Sequence, residues 1–142
     1  MIMVGPKQVQ AGKWSVSLSH MEANNFPSRE YTDLDKALII DHDNHSWSSY
    51  FQCALKRFVQ DEKVKDPASF NALVHGTVPL SSGLSSSAAL VCASGLALAH
   101  ANKLTQEAAM TAPVFAQQCI EAERYVGTMS GGMDQAINIL AR

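Results

Sequence analysis

The sequence predicts an α+β protein in which a few strands pack against helices, and three patterns support this prediction. Residues 14–19 alternate apolar and polar side chains, which is typical of a half-buried strand. Apolar side chains recur at steps of three and four from Trp47 to Val59, which predicts an amphipathic helix over residues 46–60. Residues 85–101 are apolar nearly all round and predict a central helix that is covered on most sides.

Shorter signals predict the other elements. Residues 20–27 end in a proline and predict a loop, whereas residues 34–40 fit either a strand or a short helix. Residues 70–78 predict a strand that leads into a turn rich in glycine and serine. Pro113 interrupts a helical pattern, and a proline inside a helix costs about 3 kcal/mol. We therefore expect a kink there, or a second helix over residues 113–124 with the proline in its first turn.

Residues 41–45 place aspartates, histidines and an asparagine next to one another. Such side chains are metal ligands, but neighbouring ligands on one loop rarely all point inward. The alternative is a polar lead-in to the helix that follows, with Asn44 or Ser46 as its cap.

Composition limits the class of protein. The chain has 142 residues, and we expect residues 1–142 to form a single domain with a real core. With 46% hydrophobic and 17% charged residues the chain is predicted to be globular rather than disordered. A net charge of -2 and the absence of a run of Lys or Arg argue against a nucleic-acid partner.

The compartment and the membrane prediction follow from cysteine usage and hydropathy. Cys53, Cys92 and Cys119 are widely spaced, which indicates neither a disulfide framework nor a zinc site and favours a reducing compartment. The first residues do not resemble a signal peptide, and the longest weakly polar run, residues 88–101, is shorter than the ~20 residues that cross a bilayer. We therefore expect a soluble, cytoplasmic protein.

The turn over residues 79–91 is the first stretch that indicates chemistry. It runs directly into an apolar helix, and the first backbone N–H groups of a helix favour an anion. Gly83 allows a phosphate to approach the backbone, and Ser85, Ser86 and Ser87 supply hydroxyl donors and Mg²⁺ ligands. From composition alone, capping of the helix by these serines is favoured over phosphate binding. The chain has no P-loop or dinucleotide motif, and Ser87 stands where a nucleophile elbow would need glycine.

Residues 121–135 are the second such stretch. A helix that carries Glu123 ends in a loop with three glycines, after which Asp134 begins an apolar segment. Glycines crowd where a ligand or another backbone comes close. Taken singly, an aspartate after glycines is commonly an N-cap and Glu123 is commonly a surface charge, so the pattern leaves both interpretations open.

The two stretches together resemble a known family. Residues 79–88 resemble the Pro-x-x-x-Gly-Leu-Ser-Ser-Ser-Ala motif of the GHMP kinases, and residues 132–135 resemble the Met-Asp-Gln segment of its galactokinase branch. Residues 123–135 are closer to N-acetylgalactosamine kinases than to ordinary galactokinases. With a weaker similarity over residues 47–56, the resemblance covers most of residues 47–142. The two motifs in this order are more specific than either alone.

The resemblance implies part of the GHMP kinase N-terminal domain, whose fold is like that of domain 2 of ribosomal protein S5. It also implies transfer of the γ-phosphoryl group of ATP to the anomeric hydroxyl of galactose or N-acetylgalactosamine, which relies mainly on positioning and charge stabilisation. The residues that it implies for ATP binding are Gly83, Leu84, Ser85, Ser86 and Ser87. Ser87 and Glu123 would ligate Mg²⁺, and Asp134 would be the catalytic base. Trp47 would lie either near adenine or in the core.

The sequence also departs from the family. It has no match to the family's Gly-Arg-Val-Asn-x-x-Gly-Glu-His-x-Asp segment, which carries an arginine and the sugar ligands, or to its late glycine-rich motif. We therefore expect an incomplete domain with little or no kinase activity alone, and a monomer in its full-length form. One alternative is a sensor that binds sugar and ATP without turnover, because some members of the family regulate transcription. Another is a fragment that only associates with a partner.

Overall fold

The computed structural model describes residues 2–5, 13–20, 27–44, 46–60, 64, 66–104 and 111–141. In chain order, its strands and helices are β1 (Ile2–Gly5), β2 (Trp14–His20), β3 (Ser28–Tyr31), α1 (Leu34–Ala37), α2 (Trp47–Gln60), β4 (Phe70–Gly76), α3 (Ser86–Ala101), α4 (Ala112–Glu123) and α5 (Met133–Leu140). A 3₁₀ turn, Arg124–Val126, directly follows α4. The α+β class predicted from the sequence is confirmed.

The four strands form one mixed sheet in the order β1-β4-β2-β3. The central pair, β2 and β4, is parallel, and each edge strand is antiparallel to its neighbour. A parallel pair needs a crossover connection, and here α1 and α2 lie in that connection. Along β4, Phe70, Ala72 and Val74 are buried while Leu73 and His75 are exposed, so one face of the sheet packs against the helices.

The main core lies between this face of the sheet and helices α2 and α3. Trp14 and Val16 of β2 belong to one buried cluster with Phe51 and Leu55 of α2 and Leu98 of α3. Fully burying a large apolar side chain stabilises a protein by about 1.5 to 3 kcal/mol, so these side chains dominate the packing of this layer.

A second cluster lies among the helices. It consists of Ile40, Cys53, Val91, Cys92, Phe115, Cys119, Ala122 and Val126. Helix α3 contributes to both clusters and contacts α2, α4 and α5. The central, mostly covered position expected for residues 85–101 is therefore confirmed. No helix in the described part of the chain is long and apolar enough to span a membrane.

Several uncertain segments have a definite structure. Residues 34–37 are helical, and Pro113 lies in the first turn of α4, so the second-helix alternative is the one adopted. In the 41–45 segment, Asp41 Oδ1 accepts hydrogen bonds from the backbone N–H groups of Asp43 and Asn44, at 3.0 and 3.1 Å, as in a polar turn. Residues 21–26 of the loop predicted over residues 20–27 lie outside the described residues, as does Thr105, where the sequence predicts that the helical pattern interrupted by Pro113 begins.

The three cysteine thiols are free and buried. Burial, followed by the charge of Glu123, raises the pKa of Cys53 to about 12, and the hydrogen bond with Cys92, followed by burial, raises the pKa of Cys119. The thiolate is the reactive form of cysteine.

We expect these thiols to react slowly with a disulfide reagent such as DTNB while the protein is folded. A pKa rise from 9.0 to about 12 lowers the thiolate fraction of Cys53 roughly 10³-fold at pH 8. The measurement is the absorbance of released thionitrobenzoate at pH 8, first in native buffer and then in guanidinium chloride, where all three thiols should react. Rapid stoichiometric release in native buffer would contradict the burial of these groups.

Candidate functional site

The turn before α3 has an unusual backbone. Ser81 and Ser85 have positive φ values of 54° and 58°, and Gly83 has a φ of 75° between them. A left-handed conformation costs a residue other than glycine roughly 1 to 2 kcal/mol, and such strain concentrates at functional sites. Ser82 Oγ donates to the carbonyl of Pro79 at 2.9 Å and closes the turn.

The turn does not use Ser85 as a side-chain cap. Ser85 occupies the N-cap position of α3, and its carbonyl accepts from the N–H of Ala89 at 3.1 Å, but its hydroxyl makes no capping hydrogen bond. The capping alternative therefore does not account for this serine. The N-terminus of α3 and the serine hydroxyls beside it form a donor-rich surface of the kind that favours an anion.

The second glycine turn connects α4 to α5. Gly127 and Gly132 have φ values of 84° and 83°, and Gly132 is the N-cap of α5. A Cβ at Gly132 would lie 2.9 Å from Ile120 Cγ1 and closer still to Ile120 Cδ1, so glycine allows this turn to approach α4. Asp134 is thus not the N-cap but the second residue of α5, in its first turn.

The two turns line a single cavity of about 360 Å³. Its lining consists mostly of hydroxyl and carboxylate groups. The lining residues are Tyr50, Ser81, Ser82, Gly83, Ser85, Ser86, Ser87, Glu123, Thr128, Ser130 and Asp134. Such a cavity offers hydroxyl donors for an anion together with two carboxylates, and its size suits a small ligand.

The cavity brings together most of the residues predicted from the sequence. Gly83 and all three predicted serines line it together with Glu123 and Asp134. Leu84 does not, because its side chain is 64% exposed and lies outside the lining. Trp47 packs against the main core, in agreement with the core alternative. The ligand roles of these residues remain predictions.

Glu123 is not a surface charge. It is 2% exposed, and its Oε2 accepts a hydrogen bond from Nε2 of Gln135, which is fully buried. Gln135 Nε2 also lies 3.5 Å from Ser130 Oγ. Burial, and then the negative charge of Glu123, raises the pKa of the Tyr50 hydroxyl. Tyr50 is therefore a neutral hydroxyl that faces the cavity beside a buried acid.

The donor set of the cavity fits Mg²⁺ bound together with phosphate. In the described part of the chain, no group of three or more His, Cys, Asp or Glu residues could hold a metal ion. Mg²⁺, however, usually binds through one or two carboxylates and the phosphates of its substrate. No ion pair between described residues involves Glu123, so a cation there would compensate a buried negative charge. Glu123 and Ser87 supply the hard oxygen ligands that this ion prefers.

Sequence reasoning missed part of the lining. Thr128 and Ser130 belong to the second glycine turn, and Ser81 and Ser82 belong to the first, but no role was predicted for them. Tyr50 is one of the apolar-pattern residues between Trp47 and Val59, so its sequence position predicts a core contact. Its hydroxyl was the one signal that this position could face a polar cavity.

Comparison with known proteins identifies the family. The profile described as "GHMP kinases N terminal domain" matches residues 49–142, and the chain belongs to the GHMP kinase family. It is 45% identical over 103 residues to a protein named "Galactokinase" from Dictyostelium discoideum. The aligned residues are 72% of this chain and 20% of that relative. It is also 38% identical over 103 residues to a "Galactokinase" from Candida maltosa. That alignment covers 70% of this chain and 47% of that relative.

Solved structures agree with this assignment. The structure of Lactococcus lactis galactokinase complexed with galactose matches with a TM-score of 0.74 and 26% identity over 96% of this chain and 32% of that chain. Methanococcus jannaschii mevalonate kinase matches in fold, with a TM-score of 0.73 and 18% identity over 97% of this chain and 40% of that chain. The chain thus spans between a fifth and a half of the length of the relatives named here.

Proposed function

We propose that this chain is the ATP-binding part of a sugar kinase, which transfers the γ-phosphoryl group of ATP to the anomeric hydroxyl of galactose or N-acetylgalactosamine. The observation that supports the proposal is the single cavity lined by the serine turn, Glu123 and Asp134. The relatives named galactokinase support the sugar class. The lack of a match to the segment with the sugar ligands supports low turnover by this chain alone.

In the proposed mechanism the serine turn binds the phosphates. Ser85, Ser86 and Ser87 donate hydrogen bonds to phosphate oxygens, and the N-terminus of α3 adds the favourable end of its dipole. Gly83 lines the same cavity, a Cβ there would meet no heavy atom within 4 Å, and its φ of 75° favours glycine. These donors hold the γ-phosphoryl group in place while charge develops on it.

Ser87 and Glu123 would hold Mg²⁺, which when bound neutralises charge on the phosphates. Asp134, in the first turn of α5, accepts the proton of the attacking sugar hydroxyl. The remaining proposals follow from the sequence. Residues 1–142 form one partial domain, and the protein acts in the cytoplasm on a small sugar, is monomeric in its full-length form and uses neither a nucleic-acid nor a membrane partner.

The first test is the Mg²⁺ dependence of ATP binding, measured by isothermal titration calorimetry with Mg²⁺ or with EDTA. We expect Mg²⁺ to strengthen ATP binding to the wild-type protein and Glu123→Gln to remove most of that gain. Glu121→Gln is the matched control, because Glu121 lies on the same helix but is partly exposed and pairs with Arg57 at 2.6 Å. The proposal fails if the wild type binds no ATP, or if both variants behave alike.

The second test separates a kinase from a sensor. Asp134→Asn should keep MgATP binding and abolish the low level of sugar phosphate formation that we expect from the wild-type chain at high concentration. Formation is measured by ³¹P NMR with galactose and with N-acetylgalactosamine. Binding of ATP and sugar with no product in either form would instead support the sensor.

A further inference from the structure

Gln135 is a buried polar side chain that the proposed mechanism does not use. It is 0% exposed, and it directly follows Asp134 in the first turn of α5. Its Nε2 donates to Glu123 Oε2, and its Oε1 is buried without a hydrogen-bond partner among the described residues. An apolar side chain of similar size would fill the same space without leaving a buried polar atom unpaired. The contact with Glu123 is therefore what glutamine adds at this position.

The contact links three parts of the site. Glu123 is the last residue of α4, Gln135 lies at the start of α5, and Ser130, in the loop between them, lies 3.5 Å from Gln135 Nε2. Because Gln135 and Asp134 are consecutive, fixing one to Glu123 also fixes the spacing between Glu123 and Asp134. A single buried amide thus couples the two carboxylates that line the cavity.

The hydrogen bond also distinguishes the two oxygens of Glu123. Oε2 accepts from Gln135, whereas no described residue donates to Oε1. Glu123 lines the cavity although its side chain is almost completely buried, so its freedom to rotate is small. A carboxylate that is held through one oxygen can offer the other to a cation in a fixed orientation.

We propose that Gln135 is a positioning residue, which orients Glu123 through Oε2 so that Oε1 ligates a divalent cation bound with a nucleotide in the cavity. This inference rests on the proposed role of Glu123. Gln135 itself touches neither the cation nor the nucleotide. Its effect therefore appears in cation affinity and not in the binding of ATP without metal.

The first experiment measures Mn²⁺ binding to the protein in the presence of ATP by electron paramagnetic resonance. Partners that orient a ligand typically change metal affinity 10- to 100-fold, so Gln135→Met should weaken Mn²⁺ binding at least about tenfold. The affinity of the Gln135→Met variant for ATP in EDTA should equal that of the wild type. Gln117→Met is the matched control, because Gln117 donates to Oε1 of the partly exposed Glu121 at 2.8 Å on the same α4 helix.

A double-mutant cycle shows whether Gln135 acts through Glu123. Glu123→Gln combined with Gln135→Met should bind Mn²⁺ no more weakly than Glu123→Gln alone. Additive losses, or an equal loss of ATP binding in EDTA, would show that Gln135 is merely structural and would overturn the inference. Wild-type Mn²⁺ binding that depends on Glu123 but not on Gln135 would overturn this inference alone. Binding that is indifferent to Glu123 would reject the proposed function itself.

A measurement on the wild-type protein tests the inference without requiring that any variant folds. Mn²⁺ with ATP should broaden the side-chain NH₂ resonances of Gln135 in a ¹H–¹⁵N spectrum, because Gln135 is bonded to the proposed ligand. The same resonances of Gln117 should broaden clearly less, because Gln117 lies six residues before Glu123 on α4, about 9 Å away along the helix axis. ATP without metal should broaden neither. Sharp Gln135 resonances at saturating Mn²⁺ and ATP would place the cation elsewhere and would overturn the inference.

Discussion

Phe51→Ala is expected to lower the free energy of unfolding by about 3 to 5 kcal/mol. Phe51 of α2 is 1% exposed. Its ring stacks on Tyr31 of β3, with centroids 6.0 Å apart, and meets Phe70 of β4 edge-on at 6.1 Å. Alanine would therefore remove the side chain that joins α2 to two strands and would leave a cavity between the layers. Urea denaturation followed by circular dichroism measures the loss.

Two further variants define the cause of this loss. Phe51→Leu keeps most of the apolar volume and should cost clearly less than Phe51→Ala. Ile39→Ala removes an aliphatic side chain that is 69% exposed, so it should change stability by no more than about 0.5 kcal/mol. If Phe51→Ala lowered the free energy of unfolding as little as Ile39→Ala, Phe51 could not pack between α2 and the sheet as described.

The elements that the sequence predicts correctly are those whose pattern directly reflects burial. The apolar steps of residues 47–59 predict the buried face of α2, and the nearly uniform apolarity of residues 85–101 predicts the central position of α3. The alternation at residues 14–19 predicts β2 for the same reason. In each case a local run of residues already records which side chains contact the core.

The edge strand β3 was not predicted because nothing in its own residues requires it. Residues 28–31 form β3, yet three of these four residues are exposed and only Tyr31 is partly buried. Their strand conformation depends on pairing with β2, in which Trp14 lies opposite Tyr31. Such pairing between distant residues is not encoded in a short-range pattern.

The site divides in the same way. The sequence predicts the serine turn and Asp134 as site residues because the residues of each motif are adjacent in the chain. Tyr50 and Gln135 were not assigned, because their roles depend on how α2, α4 and α5 meet around Glu123. The charge of this buried acid contributes to the raised pKa of Tyr50, Cys53 and Cys119, which are far apart in the sequence. That electrostatic environment exists only in the folded chain.

Gly132→Ala is expected to lower the free energy of unfolding by about 2 to 5 kcal/mol, through two separate effects. The φ of 83° at this position strains any residue with a Cβ, and the new methyl group would lie 2.9 Å from Ile120 Cγ1. Relief of this contact would move the start of α5 away from α4. Asp134 and Gln135 lie in that first turn, so the variant should also weaken MgATP binding when folded.

Alanine at the other two glycines of this turn distinguishes the cost of backbone strain from the cost of a close contact with Ile120. Gly127 has nearly the same φ, 84°, but a Cβ there would meet nothing within 4 Å, so Gly127→Ala should cost only about 1 to 2 kcal/mol. Gly131 has neither a positive φ nor a close neighbour, so Gly131→Ala should be nearly neutral. In guanidinium denaturation, Gly131→Ala should therefore be the most stable of the three variants, Gly127→Ala the next and Gly132→Ala the least stable. If Gly127→Ala and Gly132→Ala lost equal free energy of unfolding, backbone strain alone would account for both losses. The position of α5 would then not depend on a close approach to Ile120.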